Sequence, residues 1–468
     1  MRLLSRICTA GLMAVNLGAQ EPAAPTPGRS ALIARLDSLA HAFLADMPAV
    51  GATIGVVRGT DTLYLAAVGE RDRERHLPAA TSTVYHIGSI TKQFTAAAVL
   101  RLVERGSLRL GDSLGTLLPQ YPQWRAVTVR QLLNHTSGIR SYTTSPEWRR
   151  RWKVDVTPAN LVALVAKDTF DFAPGTSWRY NNTGYVLLGM VLERATRTAY
   201  ADHIDTQFFK PLGLHSAAYC PSRPTDPERP RGYELEAGKI SRASYISSSQ
   251  TWAAGALCMS VPDYLRWQTA LTTGGVVSAA SYQMMSTSDT LATGASTNYG
   301  FGLSAARLGT HPVVHHGGDV HGFSAEELWL PDDSLRVVVF TNTLGSNPKF
   351  LADNLASAVL GLPLRTRTKS PSAVRLSARE RRKYEGAYDI VLQSGRVLPL
   401  RVFSDANGLA AKGEAPGQGT IRLVYIGDDT FGAEFDAALR LAFVLEDGRA
   451  VKAQLTQRGQ TREGLRRP

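Results

Sequence analysis

The chain holds 468 residues, too many for one ordinary core, so two or three structural units are expected. A hydrophobic fraction of 44% and a charged fraction of 20% are those of a soluble globular protein and exclude fibrous or disordered classes as the main description. The formal charge of +12 gathers between Arg365 and Lys383 without interleaved aromatics for base stacking, so no nucleic-acid partner is expected.

Arg2 and Arg6, the short uncharged stretch 7–17 and the small residues of 17–19 read as a signal peptide over residues 1–19, cut near Gln20. A periplasmic or secreted protein is the expectation. Residues 20–36 read as a Pro/Ala-rich linker. The leader is too short to span a bilayer, and no later run approaches ~18 uninterrupted apolar residues, so the mature chain is expected to lack a transmembrane segment. Cys8 departs with the leader. Cys220 and Cys258 remain, and in an oxidising compartment one disulfide between them is expected, with two unpaired buried thiols as the alternative.

Residues 37–362 form the main unit. The β-branched runs 52–57 and 63–68 flank Arg58-Gly59-Thr60-Asp61 and predict a hairpin. Residues 89–104 are apolar nearly all round and predict a buried helix, with Gly106 as its stop. Further helices are predicted over 129–133 after Thr128, over 159–166, over 185–195, and from Ser260, where Asp263 suggests a capping box. Strands are predicted over 299–304, 325–330 and 335–341, and a final helix over 350–360. Strands at both ends with helices between them imply an α+β unit whose sheet is closed by the two chain ends.

Residues 363–378 are a basic linker, read as a solvated face with weak attraction to an anionic envelope. From 379 to 460 the pattern becomes short alternating runs (398–403, 409–412, 420–425, 439–446 and 450–454) separated by glycine turns. These predict a small antiparallel, barrel-like β domain.

Ser89-Ile90-Thr91-Lys92 opens the buried helix. Residues three apart share a helix face, so the Ser89 hydroxyl and the Lys92 amine can meet. A helix N-terminus offers unpaired N–H groups to an oxyanion, and a lysine in an apolar site loses charge and can act as a base. Ser346-Asn347-Pro348-Lys349 has the same spacing but follows a turn and carries proline, so it reads as a helix cap. Tyr180-Asn181-Asn182 lies on a loop between a turn and a helix. A phenol near a cationic lysine is expected to have a lowered pKa and to shuttle protons, and Asn182 can bind both Lys92 and a substrate carbonyl. In His316-Gly317-Gly318-Asp319 the glycines let a strand edge approach a substrate, so that its N–H and that of Ser89 form an oxyanion hole. His311, His315, His316 and His321 show no recognised ligand spacing, and no metal, nucleotide or organic cofactor is expected.

In this order, Ser-x-x-Lys, Tyr-x-Asn and His-x-Gly resemble the β-lactamase-related serine hydrolases, which include class C β-lactamases, DD-peptidases, D-aminopeptidases and esterases. Residues 85–94, Leu132-Leu-Asn-His-Thr-Ser-Gly138, 174–185 and Ala254-Gly255 before Ser260 resemble them too. The resemblance implies an antiparallel sheet flanked by helices with a helical lobe, the β-lactamase/transpeptidase-like fold, and a site between them. It implies that Ser89 attacks, that Lys92 and Tyr180 move its proton, that the Asp319 N–H is the second oxyanion donor, and that Asn182, His316, Gly318 and Tyr142 contact substrate. Two departures stand out. His316 replaces the lysine of class C β-lactamases, and Gly317 lacks the hydroxyl that helps hold a substrate carboxylate, a contact for which Arg140 is the replacement candidate. The expected partner is a small-molecule or peptide substrate, and the expected reaction is acyl transfer of esterase, DD-peptidase or D-aminopeptidase type. β-Lactamase activity and non-catalytic binding of a peptidoglycan-like ligand are the alternatives.

Overall fold

The computed structural model describes residues 28–467 apart from 48, 221–228, 237–238, 292, 366–375, 392–396, 406–407, 414–419, 434–435 and 458–459. The expected leader, the start of the first linker and most of the basic linker lie outside the described residues.

Helix α1 (Arg29–Asp46) leads into strands β1 (Gly51–Arg58), β2 (Asp61–Asp72) and the two-residue β3 (Leu77–Pro78). A helical lobe follows, whose long members are α2 (Thr91–Glu104), α3 (Asn182–Thr196) and α4 (Val261–Thr272). The chain then returns through β4 (Ser304–Leu308), β5 (His311–Val320), β6 (Phe323–Leu330) and β7 (Leu335–Thr341), and α5 (Pro348–Leu360) closes the unit. The seven strands form one sheet in the order β3-β2-β1-β7-β6-β5-β4. β1 pairs antiparallel with β7, from Ala52↔Thr341 to Arg58↔Leu335, so the two ends of the unit do close the sheet.

β1 is buried through Val56 without alternation because helices cover both faces of the sheet. On one face Ala52, Ile54 and Val56 meet Leu36 and Phe43 of α1 and Leu351 and Leu355 of α5. On the other, a Cβ at Gly55 would stand 2.8 Å from Leu265 Cδ1, so glycine lets α4 lie directly on the strand. Every residue of α2 from Thr91 to Leu100 is buried, in keeping with a sequence that is apolar nearly all round. It is wedged between sheet and helical lobe, and truncation there, as in Leu100→Ala, is expected to cost about 2–5 kcal/mol.

Four local expectations are corrected. Residues 29–36, read as linker, begin α1, whose Leu36, Ala40 and Phe43 recur at helical spacing and bury against the sheet. Residues 299–303, read as strand, form a loop folded onto α2. Gly302 has φ +80° there, and a Cβ on it would lie 2.8 Å from the Lys92 carbonyl oxygen. Ser260 caps α4 by accepting from the Asp263 N–H at 3.4 Å. The Asp263 carboxylate, however, takes the Ser216 N–H and hydroxyl, both at 2.6 Å, so the box is not reciprocal.

The fourth correction concerns sulfur. Cys220 and Cys258 are free thiols, both fully buried. Cys258 pairs with Ala218, and the Cys220 N–H donates to the Ala256 carbonyl at 2.8 Å, so the two cysteines are diagonal neighbours across the strand pair. The two side chains are close enough for their thiols to act on each other: burial and then Cys258 raise the pKa of Cys220, while against burial Cys220 lowers that of Cys258. Cys258 Sγ also accepts from Arg229 Nη1 at 3.1 Å. In the second Ser-x-x-Lys, Asn347 caps α5 by accepting from the Phe350 N–H at 3.3 Å, and Lys349 pairs with Asp353 at 2.7 Å.

Strands β8 (Gly386–Val391), β9 (Val397–Asp405), β10 (Gly408–Gly413), β11 (Thr420–Gly427), β12 (Thr430–Ala433), β13 (Asp436–Glu446), β14 (Arg449–Gln457) and β15 (Gln460–Arg466) form a closed barrel with neighbours in sequence order. Period-two alternation sends Leu400 and Val402 inward and Arg401 outward, around a core of Tyr384, Tyr388, Phe431 and Phe443. The last strand runs to Arg466, past residue 460 where the sequence placed the end of this domain.

Candidate active site

A 3-10 turn, Gly88–Ile90, carries Ser89 and runs straight into α2, which places Lys92 one turn below it. Lys92 Nζ lies 3.1 Å from Ser89 Oγ, 2.8 Å from Asn182 Oδ1 and 2.8 Å from the Ala254 carbonyl oxygen. The side chain is fully buried and no carboxylate compensates its charge, so burial holds its pKa well below the ordinary lysine value. The geometry suits a neutral amine. Asn182 Oδ1 and the Ala254 carbonyl can only accept, which uses both N–H groups of an uncharged Lys92 and turns its lone pair to the Ser89 hydroxyl.

Tyr180 and Asn182 come from the loop entering α3. Asn181 caps that helix, accepting the Gly184 N–H at 2.7 Å, and its amide donates to the Ile139 carbonyl. Asn182 Nδ2 donates to Thr143 Oγ1 at 3.3 Å, which turns its oxygen to Lys92. The Tyr180 hydroxyl is buried with no hydrogen-bond partner, and its ring lies 4.7 Å from Lys92 Nζ. Its pKa is raised by burial, with Asp319 adding to the rise and Ser89 offsetting it. The expected lowered pKa is thus reversed, because burial of the phenol outweighs the interactions that would lower it.

Two residues that the sequence reading left without a role complete this wall. His135 (φ +63°) packs its ring 4.4 Å from Tyr180 and 4.6 Å from Tyr299. Its Nδ1 accepts the Asn181 N–H at 3.2 Å, leaving the proton on a buried, unpaired Nε2. Tyr299 donates its hydroxyl to His316 Nε2 at 3.0 Å while His316 Nδ1 donates to the Gly317 carbonyl at 2.5 Å. Both ring nitrogens are committed, and burial followed by Lys92 pushes the His316 pKa down to about 3, so the imidazole is neutral. The Tyr299-Gly300-Phe301-Gly302 alternation, whose glycines fit the loop onto α2, was the available signal for Tyr299.

The edge of β5 meets the turn of Ser89 through glycine on both sides. A Cβ on Gly318 would collide with the Ile87 carbonyl oxygen and lie 3.1 Å from the Ser89 nitrogen. Gly88 has φ +51°, and a Cβ on it would lie 2.9 Å from the Asp319 nitrogen. The Ser89 and Asp319 N–H groups are thereby brought to one place. Gly317 also needs to be bare, because a Cβ there would approach Glu326 Oε2 to 2.8 Å. The carboxylate fills the space a hydroxyl-bearing side chain would take, and it pairs with His315 Nδ1 at 2.8 Å.

These groups open on a cleft of about 290 Å³ whose walls include Ser89, Tyr142, Trp148, Asn182, Ile246, Asp319 and His321. Tyr142 lines it as expected, with its hydroxyl donating to the Gln250 carbonyl at 2.6 Å. His321 stacks edge-on against Trp152 at 4.1 Å, and His311 pairs with Asp333 at 2.8 Å, so the four histidines point to separate partners. Among the described residues no group of three or more His, Cys, Asp or Glu is arranged to hold a metal ion. Arg140, the candidate for a substrate-carboxylate contact, is not on the cleft wall. Its guanidinium is 3.3 Å from both Asp168 and Asp171 and is exposed. Among the described residues no helix is long and apolar enough to cross a membrane.

The sequence model of the family described as Beta-lactamase matches residues 36–362. A D-aminopeptidase of Gluconobacter oxydans is 26% identical over 356 residues, covering 73% of this chain and 65% of that protein, just under two thirds of its length. Among solved structures, the octameric penicillin-binding protein homologue from Pyrococcus abyssi aligns with TM-score 0.65 and 25% identity over 92% of this chain and 99% of its own. A D-stereospecific amidohydrolase from Streptomyces aligns with TM-score 0.59 and 28% identity over 71% and 98%.

Proposed function

The chain belongs to the Beta-lactamase family of serine hydrolases, and from that premise we propose that it is an exported enzyme acting through an acyl-enzyme on ester, amide or D-amino-acid peptide substrates. The observation that carries this reading is the three-way contact of Lys92 with Ser89, Asn182 and the Ala254 carbonyl. A neutral amine held there takes the Ser89 proton as Oγ attacks the substrate carbonyl, and the oxyanion forms between the Ser89 and Asp319 N–H groups. The protonated Tyr180 phenol hands its proton to the leaving amine or alcohol and recovers one from the Lys92 ammonium. Water then attacks the acyl-Ser89 ester with the same groups run in reverse, releasing the acid and restoring Ser89. The relatives named D-aminopeptidase and D-stereospecific amidohydrolase support ester and amide substrates. The neutral His316 offers no cation to a β-lactam carboxylate, which ranks β-lactams lower. Arg2, Arg6 and the apolar stretch after them support export.

Intact-mass spectrometry of wild type and Ser89→Ala after brief exposure to a penicillin and to p-nitrophenyl acetate tests the reading. An adduct in wild type that Ser89→Ala lacks is the expected result. No adduct and no turnover with either reagent would defeat the acyl-enzyme mechanism. N-terminal sequencing of the protein recovered outside the cytoplasm should begin near Gln20; an intact Met1 in that fraction would remove the leader.

A further inference from the structure

Asp319 is the only carboxylate on the cleft wall among the described residues. It is exposed, and the Ser324 hydroxyl donates to its Oδ1 at 2.6 Å, which fixes the carboxylate. Burial on its inner side and the nearby Glu326 carboxylate raise its pKa above the usual aspartate value, and the Ser324 hydrogen bond offsets part of the rise. The other groups able to carry charge at the site are silent. Burial holds the Lys92 pKa well below its ordinary value, burial and then Lys153 lower that of His321 on the cleft wall, His316 has both ring nitrogens committed, and Arg140 is tied to Asp168 and Asp171. The remaining wall is neutral or apolar, with Tyr142, Trp148, Ile246 and Val320 on it. The inner cleft therefore presents one fixed negative charge.

The position of that charge matters. In the proposed reaction the Asp319 N–H receives the carbonyl oxygen of the scissile bond. Groups on the substrate α-carbon are one bond from that carbonyl carbon, within side-chain reach of the residue that holds the oxygen. An ammonium there meets an opposite charge, whereas a carboxylate meets repulsion with no cation on the cleft wall to offset it.

We propose that the Asp319 carboxylate recognises a free ammonium group on the acyl half of the substrate, so that the cleft selects α-aminoacyl amides and esters over N-acylated or anionic ones. This assignment rests on the acyl-enzyme reading above and gives it a substrate class. Glu326 in the space of a hydroxyl-bearing side chain at Gly317 acts in the same direction, since it replaces a carboxylate-binding group with a second acid.

The test measures kcat/KM of the full chain for D-alanine p-nitroanilide, its N-acetyl and N-succinyl derivatives, and p-nitrophenyl acetate as an amine-free reference. Wild type should prefer the free amine over the acetylated anilide by about tenfold or more, with the succinylated one slower still. Asp319→Asn should collapse that ratio towards one, and Asp319→Glu should restore part of it. The ratio discriminates because general damage to the oxyanion strand slows all substrates together. Turnover of p-nitrophenyl acetate without preference for the free-amine anilide would overturn the assignment while sparing the hydrolase reading. Equal loss on both anilides in Asp319→Asn would also overturn it. No turnover of any substrate, with no adduct on Ser89, would remove the reading and the assignment together.

Discussion

Gly318 lies flat against Ile87, with no room for a side chain between the edge of β5 and the turn that carries Ser89. Closeness here is functional, because it sets the separation of the Ser89 and Asp319 N–H groups. Gly318→Ala should push the strand away from the turn while leaving the sheet paired through β6. We expect kcat to fall by roughly 10²–10³, the usual loss of one oxyanion donor, with a melting temperature within a few degrees of wild type. Steady-state kinetics beside a thermal melt decides it; a variant with wild-type kcat would mean that the Asp319 N–H does not bind the oxyanion.

The buried amine predicts a pH profile. Lys92 works unprotonated and its pKa lies well below the ordinary 10.5, so kcat/KM should rise as pH climbs through that depressed value and then level off. Burial raises the Tyr180 pKa, so no descending limb is expected through pH ~10. An ascending limb near the ordinary lysine value would show that Lys92 carries its charge in the resting enzyme. Lys92→Arg, which cannot deprotonate, should lose about 10²–10⁴ in kcat.

Glu327 lies fully inside the lobe beneath β6, accepting from Gln93 Nε2 at 2.8 Å and Gln268 Nε2 at 2.5 Å. Burial, then the neighbouring Glu326, pushes its pKa up to about 8 from 4.5. Between those values the folded chain holds a proton that the unfolded chain has released, so this group's stabilisation is complete below pH 4.5 and falls as pH rises towards 8. Wild type should therefore melt lower at pH 8 than at pH 5, by on the order of 5 °C from this group, and Glu327→Gln should flatten that dependence. Calorimetry at the two pH values measures it, and equal slopes in both proteins would show that Glu327 is ionised when folded.

The thiol pair makes a chemical prediction. Under non-reducing conditions Cys220 and Cys258 should resist alkylation in the native protein, because both are fully buried, and both should react once the chain is unfolded. Peptide mapping that finds a linked Cys220–Cys258 peptide would restore the bridge that the sequence suggested.

Local chemistry explains which elements could be read without coordinates. The hairpin and β7 declare themselves through β-branched runs, and the helix Val129–Leu133 begins where Thr128 takes the Gln131 N–H at 3.3 Å. Ser89, Lys92 and Asn182 could be brought together on paper because helix geometry settles the first two and one loop carries the third. The rest depends on contacts between distant segments. Nothing near His135 or Tyr299 in sequence says that they sandwich Tyr180. The sign of the Tyr180 shift could not be read either, since it turns on how deeply the phenol itself is buried. α1 was hidden because its apolar face makes sense only against β1 and α5.

The register that joins Ala52 to Thr341 has a temporal side. Ser89, Lys92 and Tyr180 leave the ribosome early, but β5 and the strands that hold its edge in place come from the far end of the unit. The groups that hold Lys92, Asn182 and the Ala254 carbonyl, are made before residue 341. The edge of β5 is held by pairing that runs through β6 and β7 to β1, so the Asp319 N–H reaches its place beside Ser89 last.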